Sequence, residues 1–170
     1  DVVVTAVMDE EYAGLGTLAV AERYRADGAI VAEPTELDLV VAQRGFAWLE
    51  VETRGVAAHG SRPHLGVDAI VKMGGVLAGL DRLSRGLAGG PAHPLLGPAS
   101  VHASLISGGQ ELSSYPERCL LSVERRTLPG ETGATAAAEL QAIVAALTAA
   151  DPTFRAEVRL GLERAPMETP

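Results

Sequence analysis

The chain of 170 residues is the length of one or two small domains, and its 47% apolar content is enough to build a core. Its formal net charge of −8 is spread along the sequence with no basic stripe, which argues against nucleic acid as a partner, and no apolar run approaches a membrane span. Cys119 is the sole cysteine, so an internal disulfide and a cysteine-rich metal site are excluded. A cytoplasmic location is compatible with this. There is no signal-peptide pattern.

The first element is an apolar run, Val2–Val7, that leads into Asp9-Glu10-Glu11. A predicted helix over Leu15–Arg25 follows, then a second apolar run, Gly28–Ala32, that leads into Glu33-Pro34-Thr35. Two apolar strands around a helix read as a βαβ unit of a covered parallel sheet. It is too small to be a domain, and the chain starts without methionine inside what reads as a strand. The expectation is therefore a piece of a larger protein, with residues 1–37 belonging to a partial α/β domain.

From residue 38 the pattern changes. Ala47–Arg54 alternates, with Leu49, Val51 and Thr53 on one face. Val67–Leu83 has helical spacing, with Ile70, Met73, Leu77 and Leu80 on one stripe. A Gly- and Pro-rich loop is expected over Gly86–Pro98. Ala99–Ile106 alternates again, with Ala99, Val101, Ala103 and Leu105 on one face, and Arg118–Arg126 places Cys119, Leu121 and Val123 together. Ala134–Ala149 is the clearest helix and stops at Asp151-Pro152. The last strand alternates through Phe154, Ala156, Val158 and Leu160.

The predicted order is β-α-β-β-α-β with one apolar face per strand. This is an α+β fold: a ferredoxin-like split βαβ domain over residues 38–165, a four-stranded antiparallel sheet with two helices on one face. The first and last strands are then neighbours, which is expected to bring Glu50 and Glu52 near Arg155 and Arg159. Residues 166–170 would return to the first domain.

The residues able to carry chemistry lie in short motifs. A carboxylate at the end of a buried strand sits at the mouth of a sheet, where oxygen donors suit metal ligation or proton transfer. A lone Asp-Glu-Glu is also what a solvated turn or a helix N-terminus contains, and Glu33-Pro34 is also a plain strand exit. His59 lies in the Gly-rich stretch Gly55–Ala69; a simple loop histidine is the alternative. His64 follows it, but Pro63 argues against a helix presenting both rings on one face. His93 and His102 have no supporting motif. Gly108 and Gly109 allow backbone to approach a ligand closely, or make a turn. Arg126 offers a fork for a carboxylate, or is an exposed cation on the open face of the sheet.

Taken together, Asp9-Glu10-Glu11, Glu33-Pro34-Thr35, the His59 loop, Ser107-Gly108-Gly109, Tyr115-Pro116-Glu117 and Val123–Glu131 resemble, in this order, the M20 family of zinc-dependent amidohydrolases and peptidases. That family includes acetylornithine deacetylase and succinyl-diaminopimelate desuccinylase. The resemblance implies a dinuclear zinc hydrolase whose catalytic domain is interrupted by a ferredoxin-like lid that dimerises. It implies that Glu10 is the general acid/base, that Glu11 and Glu33 each bind a zinc ion, and that His59 reaches across a homodimer to stabilise an oxyanion. It assigns Arg126 to a substrate carboxylate and Ser113, Gly108 and Gly109 to substrate binding. Ser113 stands where the family usually has asparagine, and a hydroxyl offers fewer bonds than an amide. The implied substrates are N-acyl amino acids or small peptides, with no nucleic acid or membrane partner. Two carboxylates do not hold a zinc pair by themselves, so the isolated chain is expected to be inactive. The rival expectation is a non-enzymatic ferredoxin-like dimerisation module.

Overall fold

In the computed structural model, which describes residues 1–169, Asp1–Leu39 forms one unit and the chain from Val40 onward a second. In the first, helix α1 (Leu15–Arg23) starts at Gly14, whose φ of 65° is a conformation that glycine adopts without penalty. Gly16 packs against Met8, because a Cβ there would lie 2.7 Å from the Met8 backbone. The two apolar runs expected as strands, Val2–Val7 and Gly28–Ala32, form no ladder, and apart from a half-buried Val7 their side chains face solvent. This corrects the predicted βαβ unit. Strand propensity holds an extended run only when neighbouring strands satisfy its backbone and cover its faces, and no described residue pairs with either run.

The second unit is built from β1 (Ala42–Gln43), β2 (Gly45–Arg54), α2 (Ala69–Ala88), β3 (Ala92–His93), β4 (Gly97–Pro98), β5 (Ser100–Gly108), β6 (Arg118–Thr127), α3 (Gly133–Ala150), β7 (Arg155–Arg164) and β8 (Met167–Glu168). The main sheet is antiparallel in the order β5-β6-β2-β7, the split βαβ arrangement expected from the sequence. Its inner face carries Ala47, Leu49, Val51, Cys119, Leu121 and Val123, all buried against Met73, Val76 and Leu80 of α2 and Ala136 and Leu140 of α3. Asp68 caps α2 by accepting from the Val71 N–H at 2.9 Å. At the start of α3, Thr132 and Thr135 form a capping box, and Glu163 of β7 accepts from the Gly133 N–H at 2.7 Å.

Several local expectations change. The register of β5 against β6 shifts between Ala103 and Leu105, which ends the inward alternation. Ala99 and Val101 are buried, but Leu105 and Ile106 are 72% and 55% exposed. Ile70 also faces solvent, on the first turn of α2. The expected loop at 86–98 contains the end of α2 and the small β3–β4 hairpin. Opposite β2, Glu50 faces Arg159, as expected, but Glu52 faces Glu157 and Arg155 faces Arg54. Glu52 is still reached by Arg159, at 4.0 Å, as expected, but its closer partners are Arg118 at 2.8 Å and Arg54 at 3.0 Å. Finally, α3 is by length and composition apolar enough to cross a membrane, contrary to the expectation that no run approaches a span. Its apolarity is largely alanine, and the Ala136–Leu140–Ile143 stripe packs on the sheet.

Candidate functional site

The three candidate carboxylates lie in the first unit. Asp9 takes a left-handed conformation, φ 61°, and its carbonyl accepts from the Gly14 N–H at 2.7 Å. Glu10 and Glu11 lie in the exposed turn this closes, at the entrance to α1. That is the arrangement of acids at a helix N-terminus. Glu33 is exposed beyond α1, and its carbonyl accepts from the Thr35 N–H at 2.8 Å. Among the described residues, no three His, Cys, Asp or Glu side chains gather as a metal site. Carboxylate oxygens are suitable zinc donors, but Glu11 and Glu33 alone do not fit a zinc pair, which needs four donors or so around each ion.

In the second unit the loop that follows β2 is braced at both ends. The Gly55 N–H donates to the Glu117 carbonyl at 2.8 Å, and Val56 and Val67 exchange bonds at 2.9 and 3.0 Å, closing the loop on itself. Gly66 lies against the Tyr115 ring, where a Cβ would come within 2.5 Å of ring carbon. The tip is then tied to the segment before β6: Gly60 N–H to Ser113 carbonyl at 2.6 Å, and Tyr115 N–H to Ala58 carbonyl at 2.8 Å. His59 is exposed at this tip. Its Nδ1 accepts from the Ser61 N–H at 3.2 Å and lies 2.8 Å from the Ser61 hydroxyl. An accepting Nδ1 leaves the proton of the neutral ring on Nε2, so His59 presents an N–H donor to solvent. Beside it, the Glu111 carboxyl is held below the usual range by the Ser114 hydroxyl, then by the Ser113 N–H, with His59 adding a smaller pull.

Ser107, Gly108, Gly109, Glu111, Ser114 and Tyr115 help line a cleft of about 330 Å³ at this end of the sheet. Gly108 is tightly placed, since a Cβ would meet Cys119 and Ile70 at 3.0 Å, and Gly109 has φ 79°. Gly108 and Gly109 line this cleft with Ser114, and the bridge between Ser114 and His59 sets His59 and Ser113 next to it, outside its lining. Arg126 is not among them. It lies near the other end of β6, eight residues from Arg118, or roughly 26 Å at strand rise. There its guanidinium lies over the Phe46 ring at 5.8 Å and pairs with Glu124 at 3.2 Å, while Glu124 also accepts from the Trp48 indole N–H at 3.2 Å.

A further residue escaped the sequence reading. Arg125 is 1% exposed, on the inner face beside Val123. Its guanidinium bonds both oxygens of Glu139 on α3, at 2.9 and 3.0 Å, and both of Glu131, at 2.9 and 3.1 Å. Burial alone would pull its pKa down; the bonds to Glu139 and then Glu131 outweigh that and raise it. For Glu131, burial pushes the carboxyl up, and Arg125 and the Leu128 N–H bring it below its ordinary value. The signal was available: position 125 has the same inward parity as 121 and 123.

The model of a peptidase dimerisation domain of the M20 type matches residues 41–152. The chain belongs to the M20 family. Its sequence is 33% identical over 164 residues to acetylornithine deacetylase from Myxococcus xanthus, covering 94% of this chain and 42% of that protein. It is 29% identical over 168 residues to N-formyl-4-amino-5-aminomethyl-2-methylpyrimidine deformylase from Bacillus subtilis (strain 168), covering 91% and 39%. The chain thus spans less than half the length of these curated M20 relatives. A hydantoinase/carbamoylase family amidase from Burkholderia ambifaria shares the fold with a TM-score of 0.61 at 17% identity, over 76% of this chain and 30% of that one. Aminopeptidase PepT from Bacillus cereus ATCC 10987 does so with a TM-score of 0.58 at 18% identity, over 77% and 32%.

Proposed function

We propose that the complete protein hydrolyses the amide bond of N-acyl amino acids or small peptides, and that this chain supplies its lid and dimerisation part. The observation that carries this is the family match over residues 41–152, joined to 33% identity with a deacetylase. In this reading Glu10 takes a proton from the attacking water and returns it to the leaving amine. Zinc, two ions per protomer, is proposed for the complete enzyme with Glu11 and Glu33 among its donors; that requires donors beyond the described residues. The chain by itself is proposed to be inactive.

The position of His59 favours a site shared between two copies. A small substrate does not span the roughly 26 Å of strand that separates the His59 end of the sheet from Arg126. A two-fold axis through the free edge of β5 reverses the strands and sets the His59 end of one copy beside the Arg126 end of the other. The exposed Leu105 and Ile106 on β5 and Ile70 and Val71 on α2 supply apolar surface for that contact. His59, with its Nε2–H outward, then donates to the developing oxyanion in the partner's site, and Arg126 holds the substrate carboxylate. Gly108 and Gly109 line the approach, with Ser113 beside it.

The test is complementation in the complete protein. Glu10→Ala and His59→Ala each abolish or sharply reduce hydrolysis of N-acetyl amino acids, His59→Ala by roughly 10²–10³-fold. Mixing the two inactive variants restores activity, because a mixed dimer keeps one site with both residues. Failure to complement removes the shared site; wild-type protein without Glu10-dependent turnover leaves the dimerisation module as the better account.

A further inference from the structure

Arg125 has no part in the proposed reaction, yet the fold buries a full charge there. An apolar side chain of similar volume in such a place is commonly neutral or stabilising, so the bonds that Arg125 makes need a reason. They converge on one segment. Nη1 donates to the carbonyl of Arg126 at 2.6 Å. The same guanidinium holds Glu131, which accepts from the Leu128 N–H at 2.8 Å and so shapes the turn that leaves β6. Glu139 ties the assembly to α3. The neighbouring Arg126 side chain projects on the opposite face of the sheet, between Glu124 and Phe46. A guanidinium bonds both oxygens of a carboxylate only within a narrow range of placement, so the backbone that carries it must be fixed.

We propose that Arg125 is a positioning residue: by gripping the Arg126 carbonyl and clamping residues 126–131 to α3, it presents the Arg126 fork to the substrate's carboxylate. This rests on the reading of Arg126 given under Proposed function.

The experiment compares an N-acetyl amino acid with its C-terminal amide as substrates of the complete enzyme, in wild type, Arg125→Met, Arg126→Ala and the double variant. The expected result is a rise of about tenfold in KM for the carboxylate substrate in Arg125→Met, with KM for the amide unchanged and kcat little altered. The double variant is then no worse than Arg126→Ala alone, because Arg125 acts through Arg126. Equal losses on both substrates, or losses that multiply in the double variant, make Arg125 a structural residue and overturn the proposal. If Arg126→Ala keeps the preference for the carboxylate, the assignment of Arg126 fails and takes the proposal with it; that result is visible without any Arg125 variant. Should Arg125→Met not fold, Glu131→Gln, which leaves Glu139 on Arg125, must show the same selective rise in KM, and its absence overturns the proposal equally.

Discussion

Glu52 and Arg125 are charged residues that the main sheet buries, at 6% and 1% exposure, and each is met by opposite charge from more than one partner. For Arg125, removing one partner leaves a guanidinium partly uncompensated in the core. Glu139→Ala is therefore expected to destabilise the chain by roughly 3 kcal/mol, the low end for breaking a buried pair because Glu131 remains. The urea midpoint with unchanged m-value measures it. The sequence carried the parity of Arg125 but not its environment, since Glu131 and Glu139 lie on a turn and a helix that only packing brings beneath β6. The same applies to His59. Its Gly-rich loop was legible, but its bracing by Ser113 and Tyr115 is a pairing between distant segments.

Helix α2 shows two glycines with opposite roles on one element. Nothing lies within 4 Å of a Cβ built on Gly74, whereas one on Gly79 would come 2.4 Å from Ile143 of α3. Gly74→Ala is expected to stabilise by about 0.5–1 kcal/mol through helix propensity. Gly79→Ala gains the same propensity but forces the helix crossing apart, at a cost of about 1–3 kcal/mol, so its net effect is destabilising. Thermal unfolding of the two variants should move in opposite directions. Spacing alone gave both helices and all four main strands, because each carries a long apolar periodicity. It missed the β3–β4 hairpin, which has two-residue strands, and the register shift in β5, which no periodicity announces.

For the whole molecule, charge sets the acid limit of stability. Asp151, just past α3, is held down to about 2 by the Lys72 ammonium of α2, then by the Thr153 hydroxyl and N–H. Its folded pKa lies below the unfolded value, so its contribution is complete above about pH 4 and is lost as pH falls through about 2. Glu131 is shifted in the same direction and adds to the same limb. Unfolding midpoints should fall from pH 4 to pH 2, and Lys72→Met should flatten that slope without removing it. The proposed self-association belongs to this scale too. Ile106→Lys places a charge on the free β5 edge, and sedimentation should show it as monomer while its circular dichroism matches wild type.

The sequence by itself determined the ferredoxin-like order of elements, most of the faces that form the core and the family, because periodicity and local motifs are properties of short segments. The tertiary structure decided the rest. Val2–Val7 and Gly28–Ala32 have the composition of strands, but a strand exists only with a neighbour, and none of the described residues provides one. Arg126 and His59 were grouped by motif, yet strand length sets them at opposite ends of one sheet. Distance along a strand is additive and rigid, so whether two residues share a site is settled by where the strands end, which no single segment encodes.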